Sequence, residues 1–177
     1  HIGSQIFDDE PFVHAAEVML GFMDQVRQRT GTVAGELNLG GGFGAKYVES
    51  DRPKSRREMV RLVAGAVSKK AADLGYPCPY LVLEPGRSVV ADAGITLYTV
   101  GHVKKIPGVR TYVSVDGGMP DNPRYILYQS PYTALIADRA GETPAETVTI
   151  AGRCCESGDL LQENAPLQAC TPGDTLA

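Results

Sequence analysis

Two stretches of the chain repeat one arrangement, a short apolar strand followed at once by glycine and polar residues. Residues 37–39 run into the glycine-rich segment 40–44, and residues 80–83 run into the polar turn 84–88. The second strand is predicted to be buried on both faces because its successive residues are apolar. A helix-like segment separates the two units. This order is typical of parallel α/β folds, which gather ligands at the carboxyl ends of their strands.

Both predicted helices of this part have clear start and stop signals. An aspartate at position 8 or 9 together with Pro11 starts the first, and Gly31 ends its run of apolar residues at helical spacing. A capping box at 55–58 opens the second helix, and Gly75 closes it.

The pattern changes after about residue 93, where Thr, Val and Tyr become frequent and no long amphipathic helix recurs. We therefore place a domain boundary near Asp92, with an α/β domain over 1–92 and a β-rich domain over 93–177. The strand-like segments of the second domain are 95–103, 111–115, 132–137 and 147–151.

Composition excludes several classes of protein. The formal net charge of -4 and the lack of a basic stripe argue against nucleic acid as a partner. No apolar run approaches the roughly 20 residues that span a membrane. The four cysteines have no C-x-x-C spacing, so we expect no zinc or other metal site, and we expect a cytoplasmic location.

The glycine-rich segment 40–44 has the composition of a phosphate-binding loop, because glycines let backbone N–H groups approach an anion. Gly40, Gly42 and Ala45 also fit the looser dinucleotide-binding pattern. That pattern requires a helix directly after the loop, whereas here a polar stretch with Pro53 follows. A plain strand-to-loop turn is the alternative.

Glu84 follows the second strand and is separated from Arg87 by a Pro85-Gly86 turn. An acid and a cation so close together can hold a charged ligand at two points. The alternative is a local ion pair between Glu84 and Arg87.

Three further residues are candidates for chemistry. Cys155 stands beside Glu156, and a thiol next to an acid can serve as a proton donor. Its alternative is a small buried apolar residue. Arg124, at the end of a turn-rich segment, either clamps a carboxylate or is a solvated loop arginine, and His1 is either a ligand-stacking ring or structural.

Taken together, these segments resemble the fold-type III, pyridoxal-phosphate-dependent decarboxylases. The resemblance implies an α/β fold, the C-terminal part of an alanine-racemase-like (β/α)8 TIM barrel over 1–92, followed over 93–177 by part of a β-rich, sandwich- or barrel-like domain. The matching segments, in the family's order, are 1–4, 40–44, 84–87, 116–124 and 155–159.

The resemblance also implies a pyridoxal 5'-phosphate site. The histidine matching His1 stacks on the pyridine ring, and the acid matching Glu84 pairs with the pyridine nitrogen. The remaining cofactor-binding positions, most of them around the phosphate, match Ser4, Gly40, Gly41, Gly42, Pro85, Gly86 and Arg87.

The substrate residues implied by the resemblance are Arg87, Arg124, Tyr128 and Glu156, with Cys155 as the catalytic proton donor. An acid and two arginines suit a substrate with both an amino and a carboxyl group at its far end. We therefore expect decarboxylation of meso-2,6-diaminopimelate to L-lysine. The alternative within the family is a decarboxylase acting on ornithine, arginine or carboxynorspermidine.

In this family the cysteine segment reaches the partner subunit's active site, so the resemblance implies a homodimer with shared sites. The family's Schiff-base lysine lies upstream of the position matching His1, and we expect the 177 residues alone to be a fragment without activity. A non-catalytic relative that acts as a binding protein, and a nucleotide-binding dehydrogenase, are the alternatives outside this reaction.

Overall fold

The computed structural model describes residues 1–177, and the chain divides into two compact units, His1–Gly94 and Ile95–Ala177. The first, here the N-terminal unit, is mixed α/β, and the second, the C-terminal unit, is mostly β. The elements of the N-terminal unit are helices α1 (Glu10–Thr30), α2 (Arg56–Asp73) and α3 (Arg87–Val90), and strands β1 (Glu36–Asn38) and β2 (Tyr80–Val82).

The predicted ends of the two long helices are confirmed, with one exception in the capping. Gly31 adopts φ 75° and its N–H donates to the Arg27 carbonyl at 2.8 Å, which is the usual glycine end of a helix. Ser55 Oγ accepts the Glu58 N–H at 3.2 Å, which is one of the two bonds of the predicted capping box. Asp9 is the N-cap of α1 by position but makes no side-chain cap, because its carboxylate pairs with Lys54 instead.

The strands of the N-terminal unit run parallel. β1 pairs with β2 in register Leu37 to Leu81, and Phe43, just beyond β1, forms a parallel bridge with Ile6. One face of this sheet packs on the two long helices. The core residues include Phe12, Leu20, Leu37, Phe43, Val63 and Val67, and the rings of Phe12 and Phe43 meet edge to face at 4.9 Å.

The prediction that β2 is buried on both faces is wrong. Tyr80 is 83% exposed, and Leu81 and Val82 are only half-buried. Leu81 packs against the helical core, and the alternate side chains point to the other face of the sheet. Apolar residues in succession therefore do not prove that both faces are covered.

The C-terminal unit is a five-stranded sheet with order β6-β5-β4-β3-β7. β4 and β5 are parallel, and the other neighbouring pairs are antiparallel. A short helix, α4 (Arg124–Tyr128), lies between β4 and β5. The strands are β3 (Tyr98–Ile106), β4 (Arg110–Val115), β5 (Glu146–Ala151), β6 (Leu160–Leu167) and β7 (Thr175–Leu176).

The predicted strands of this unit are confirmed in part. Segments 111–115 and 147–151 form strands, and 95–103 overlaps β3. Segment 132–137 does not form a strand: it makes a single bridge at Ile136 and then enters a 3-10 turn. β6 is not predicted from the sequence, because the three successive polar residues at 162–164 interrupt the alternation of apolar and polar residues that is typical of a strand. None of the helices in the molecule has the length and apolar character needed to cross a membrane.

Candidate cofactor site

The glycine-rich loop 40–44 connects two other segments of the N-terminal unit by backbone hydrogen bonds. The Gly42 carbonyl accepts the Ile6 N–H at 3.0 Å, and the Gly40 carbonyl accepts the Glu84 N–H at 2.8 Å. Because the strands are parallel, these bonds bring the start of the chain, the glycine loop and the turn after β2 to one edge of the sheet.

A cavity of about 240 Å³ lies where these three segments meet. Its lining offers an imidazole, a hydroxyl, a carboxylate, a guanidinium and glycine backbone. The lining residues are His1, Ser4, Gln5, Gly41, Gly42, Phe43, Glu84, Gly86 and Arg87. Of the predicted cofactor-binding positions, Gly40 and Pro85 lie beside this lining and support it.

Close packing explains why the loop is made of glycine. Gly40 and Gly42 have φ values of +72° and +111°, which side chains disfavour. A Cβ on Gly41 would lie 2.2 Å from the Glu84 carbonyl oxygen, and one on Gly40 would lie 2.9 Å from Cα and Cβ of His1. Backbone conformation and close packing therefore account for the glycines of this loop. The loop does not follow the dinucleotide pattern, because α2 begins only at Arg56.

Gly41→Ala is expected to destabilise the full-length protein by about 1–3 kcal/mol and to weaken cofactor binding. The added methyl group meets a backbone atom of Glu84, which is itself held by its N–H bond to Gly40. Chemical denaturation and cofactor titration measure the two effects. Gly65→Ala in α2 is the control, since a Cβ there meets nothing within 4 Å and helix propensity favours alanine. Equal effects of both substitutions would contradict the steric argument.

Glu84 and Arg87 do not form the local ion pair considered above. Glu84 Oε1 accepts a hydrogen bond of 2.7 Å from Asn38 Nδ2, whereas Arg87 Nη1 donates to Gln5 Oε1 at 3.3 Å. The Arg87 guanidinium also lies 5.8 Å from the centroid of the Tyr47 ring. The two charged side chains thus have separate supports, and both line the cavity.

Three supporting residues of this site were not predicted from the sequence. Gln5 has φ 59°, and its side chain makes two hydrogen bonds to the backbone of Ala45, at 2.7 and 3.1 Å. Asn38 and Tyr47 contact the two charged residues as described above. Only Asn38 carried a signal, since it is a polar residue in the last position of a strand that precedes a glycine loop.

The predicted site residues of the C-terminal unit lie in the loop after β5 and on the short helix α4. Cys155 and Glu156 are exposed and follow β5, and the Glu156 carboxylate accepts the Gly158 N–H at 3.2 Å. Desolvation, followed by the Asp159 carboxylate, raises the pKa of the neighbouring Cys154 thiol. A thiol with a raised pKa is less readily converted to the reactive thiolate, which disfavours Cys154 as a nucleophile.

Arg124 and Tyr128 are the first and last residues of α4. The Arg124 guanidinium donates to the Tyr132 hydroxyl at 3.2 Å and to Ser130 Oγ at 3.3 Å, and it lies 5.6 Å from the Tyr132 ring centroid. Arg124 is therefore fixed in place rather than a freely solvated loop arginine. Tyr128 is 71% exposed.

Residues 1–91 match the family described as pyridoxal-dependent decarboxylase, pyridoxal binding domain. That match covers more than half of the chain, and the chain belongs to this family. The family's cofactor is pyridoxal phosphate, which agrees with the chemistry of the cavity in the same residues.

Within the family the chain is similar to diaminopimelate decarboxylases. It is 51% identical to the enzyme of Bacillus subtilis over 177 residues, and 46% identical to that of Synechocystis over 176 residues. These alignments cover 100% and 99% of this chain but only 40% and 37% of the relatives. The chain thus spans about two fifths of the length of the curated relatives it matches.

Solved structures show the same similarity. Diaminopimelate decarboxylase from M. jannaschii in complex with L-lysine is 32% identical with a TM-score of 0.85, over 99% of this chain and 39% of that chain. A lysine/ornithine decarboxylase from Vibrio vulnificus, complexed with cadaverine, has a TM-score of 0.80 at 23% identity over 99% of this chain and 45% of that chain. The second likeness concerns the fold alone.

Proposed function

We propose that this chain contributes the cofactor site of an enzyme that decarboxylates meso-diaminopimelate to L-lysine with pyridoxal phosphate. The observation that carries the proposal is the cavity that joins Glu84, Arg87 and His1 to the glycine loop. It occurs in a chain 51% identical to a diaminopimelate decarboxylase. The complex of the M. jannaschii relative with L-lysine, the expected product, adds support.

The residues of the cavity fit the cofactor part by part. Arg87, the Ser4 hydroxyl and the backbone of the glycine loop suit a phosphate dianion, since the loop's bonds to Ile6 and Glu84 use none of the Gly41 and Gly42 N–H groups. The His1 imidazole suits the face of an aromatic ring. The Glu84 carboxylate suits a protonated ring nitrogen.

When bound, the cofactor supplies an electron sink for the electron pair left on the α-carbon as CO₂ departs. The chain's residues then have separate tasks. Glu84 holds positive charge on the ring nitrogen, and Cys155 donates the proton that replaces CO₂ on the α-carbon, its thiolate taking a proton from water afterwards. Arg87, Arg124, Tyr128 and Glu156 bind the substrate's charged groups, which need partners once they leave water.

The finer fold and the assembly are part of the same proposal. The N-terminal unit is the second half of an alanine-racemase-like (β/α)8 barrel, supported by its parallel strands alternating with helices. The C-terminal unit is part of a β-rich domain. The enzyme is a cytoplasmic homodimer with shared active sites. Sedimentation of the full-length protein measures its oligomeric state directly.

The deciding experiment measures CO₂ release by the full-length protein, with pyridoxal phosphate, from meso-diaminopimelate and from ornithine side by side. Release from diaminopimelate alone is the expected result. Release from ornithine alone would assign the protein to the polyamine branch and overturn the role of Glu156. No release from either, with no absorbance band of bound cofactor, would favour a non-catalytic binding protein.

A further inference from the structure

Asn38 connects the acid of the cofactor site to the glycine loop. Its Nδ2 donates to Glu84 Oε1 at 2.7 Å, and its Oδ1 accepts the Gly40 N–H at 2.8 Å. The chemistry of its partners dictates this orientation of the amide, because an ionised carboxylate only accepts and a backbone N–H only donates. Asn38 therefore bonds to both partners at once, as a donor to Glu84 and as an acceptor from Gly40.

The bond to Asn38 restrains an otherwise exposed side chain. Glu84 lies on the surface of the cavity, where a glutamate normally samples several rotamers. Its backbone is fixed by the N–H bond to Gly40 and by the close approach of Gly41 to its carbonyl oxygen. Asn38 is the contact that fixes the carboxylate itself, through a hydrogen bond to Oε1.

We propose that Asn38 is a positioning residue of the decarboxylase site, an inference that rests on the function proposed above. Its donor group holds the Glu84 carboxylate toward the ring nitrogen of the cofactor, and its acceptor group holds the Gly40 N–H and hence the phosphate loop. One side chain thereby sets the spacing between the Glu84 carboxylate and the glycine loop, the two protein groups proposed to hold the ring nitrogen and the phosphate.

Asn38→Asp keeps the hydrogen bond to Gly40 and removes the one to Glu84, so it tests the second bond by itself. Aspartate still accepts the Gly40 N–H, but it places a carboxylate oxygen where the donor to Glu84 was. Two carboxylates at hydrogen-bond distance repel each other or share a proton, so Glu84 no longer offers a fixed negative charge. We expect kcat of the full-length holoenzyme to fall about 10- to 100-fold, the range seen when a partner of a directly acting group is lost, with little change in KM.

Two readouts besides activity test the same idea. The absorbance spectrum of the bound cofactor as a function of pH should change in the Asn38→Asp protein, because it reports the protonation of the ring. The cofactor dissociation constant, measured by titrating the apoprotein, should rise. Asn164→Asp is the matched control, since Asn164 is exposed on β6 at φ 53° and the substitution adds the same charge.

The outcomes separate this proposal from the proposed function. A wild-type protein that binds no cofactor refutes the function itself. A wild-type protein that decarboxylates, together with an Asn38→Asp protein of unchanged spectrum, dissociation constant and kcat, overturns the role of Asn38 alone, even if its melting temperature falls. If Asn38 acts through Glu84, adding Asn38→Asp to Glu84→Gln should cost much less than it does in the wild type, and full additivity of the losses would also overturn the proposal.

Discussion

Glu84→Gln in the full-length protein is expected to lower kcat for the proposed decarboxylation of diaminopimelate by about 10²- to 10³-fold. Glutamine is nearly isosteric, and its carbonyl oxygen can still accept the hydrogen bond from Asn38 Nδ2. The variant thus keeps the side chain in place and removes only its negative charge. If Glu84 holds the ring nitrogen as proposed, loss of its charge would leave the protonated form of that nitrogen without a partner and would weaken the electron sink that the cofactor supplies.

Steady-state kinetics and the cofactor dissociation constant measure this effect. KM should change little, because the proposed contacts to the distal end of the substrate are untouched. Glu36→Gln is the control, since Glu36 is an exposed acid at the opposite end of β1 from Asn38. A Glu84→Gln protein within twofold of wild type in kcat would refute the assignment of Glu84.

Local signals explain how much of this molecule is predictable from its sequence. Gly31 and Ser55 mark helix ends through interactions with residues three or four positions away, so a short stretch of sequence contains all of the information. The glycine loop is recognisable for the same reason. Gly40 and Gly42 adopt positive φ, and the ability to do so without strain is a property of glycine itself.

The supports of the site lie beyond such reasoning because they join distant positions. The bond from Asn38 to Glu84 spans 46 residues, and the bond from Arg87 to Gln5 spans 82. Each depends on the register of parallel strands that no local pattern specifies. Glu84 and Arg87 are close in sequence, and sequence proximity alone suggested an ion pair that the tertiary contacts do not form.

Asp159 is the buried counterpart of these supports in the C-terminal unit. It is 3% exposed, and its two carboxylate oxygens accept the backbone N–H groups of Met119 at 2.6 Å and Cys154 at 2.7 Å. One acid therefore joins the loop after β4 to the loop after β5. A Cβ on Gly118 or Gly152 would lie within 3 Å of the same carboxylate, at 2.7 and 2.2 Å, which explains both glycines.

Asp159→Asn is expected to lower the free energy of unfolding of the C-terminal unit by about 2–4 kcal/mol. Asparagine replaces one acceptor oxygen with an NH₂ group, which then faces a backbone N–H, so one buried donor loses its partner. Hydrogen exchange of the Met119 and Cys154 amides in the full-length protein measures the change at the bonds themselves. We expect exchange of at least one of them to be faster by about tenfold or more.

The same substitution links the stability of these loops to the proposed chemistry. Cys155 directly follows the residue whose N–H is held by Asp159, so release of that bond should let the proposed proton donor move and should lower kcat as well. Asp138→Asn, at an exposed acid of the 3-10 turn, controls for the loss of one charge. Unchanged exchange at both amides in the Asp159→Asn protein would show that other contacts hold the loops. Faster exchange with unchanged kcat would instead show that the position of the cysteine loop does not matter for catalysis.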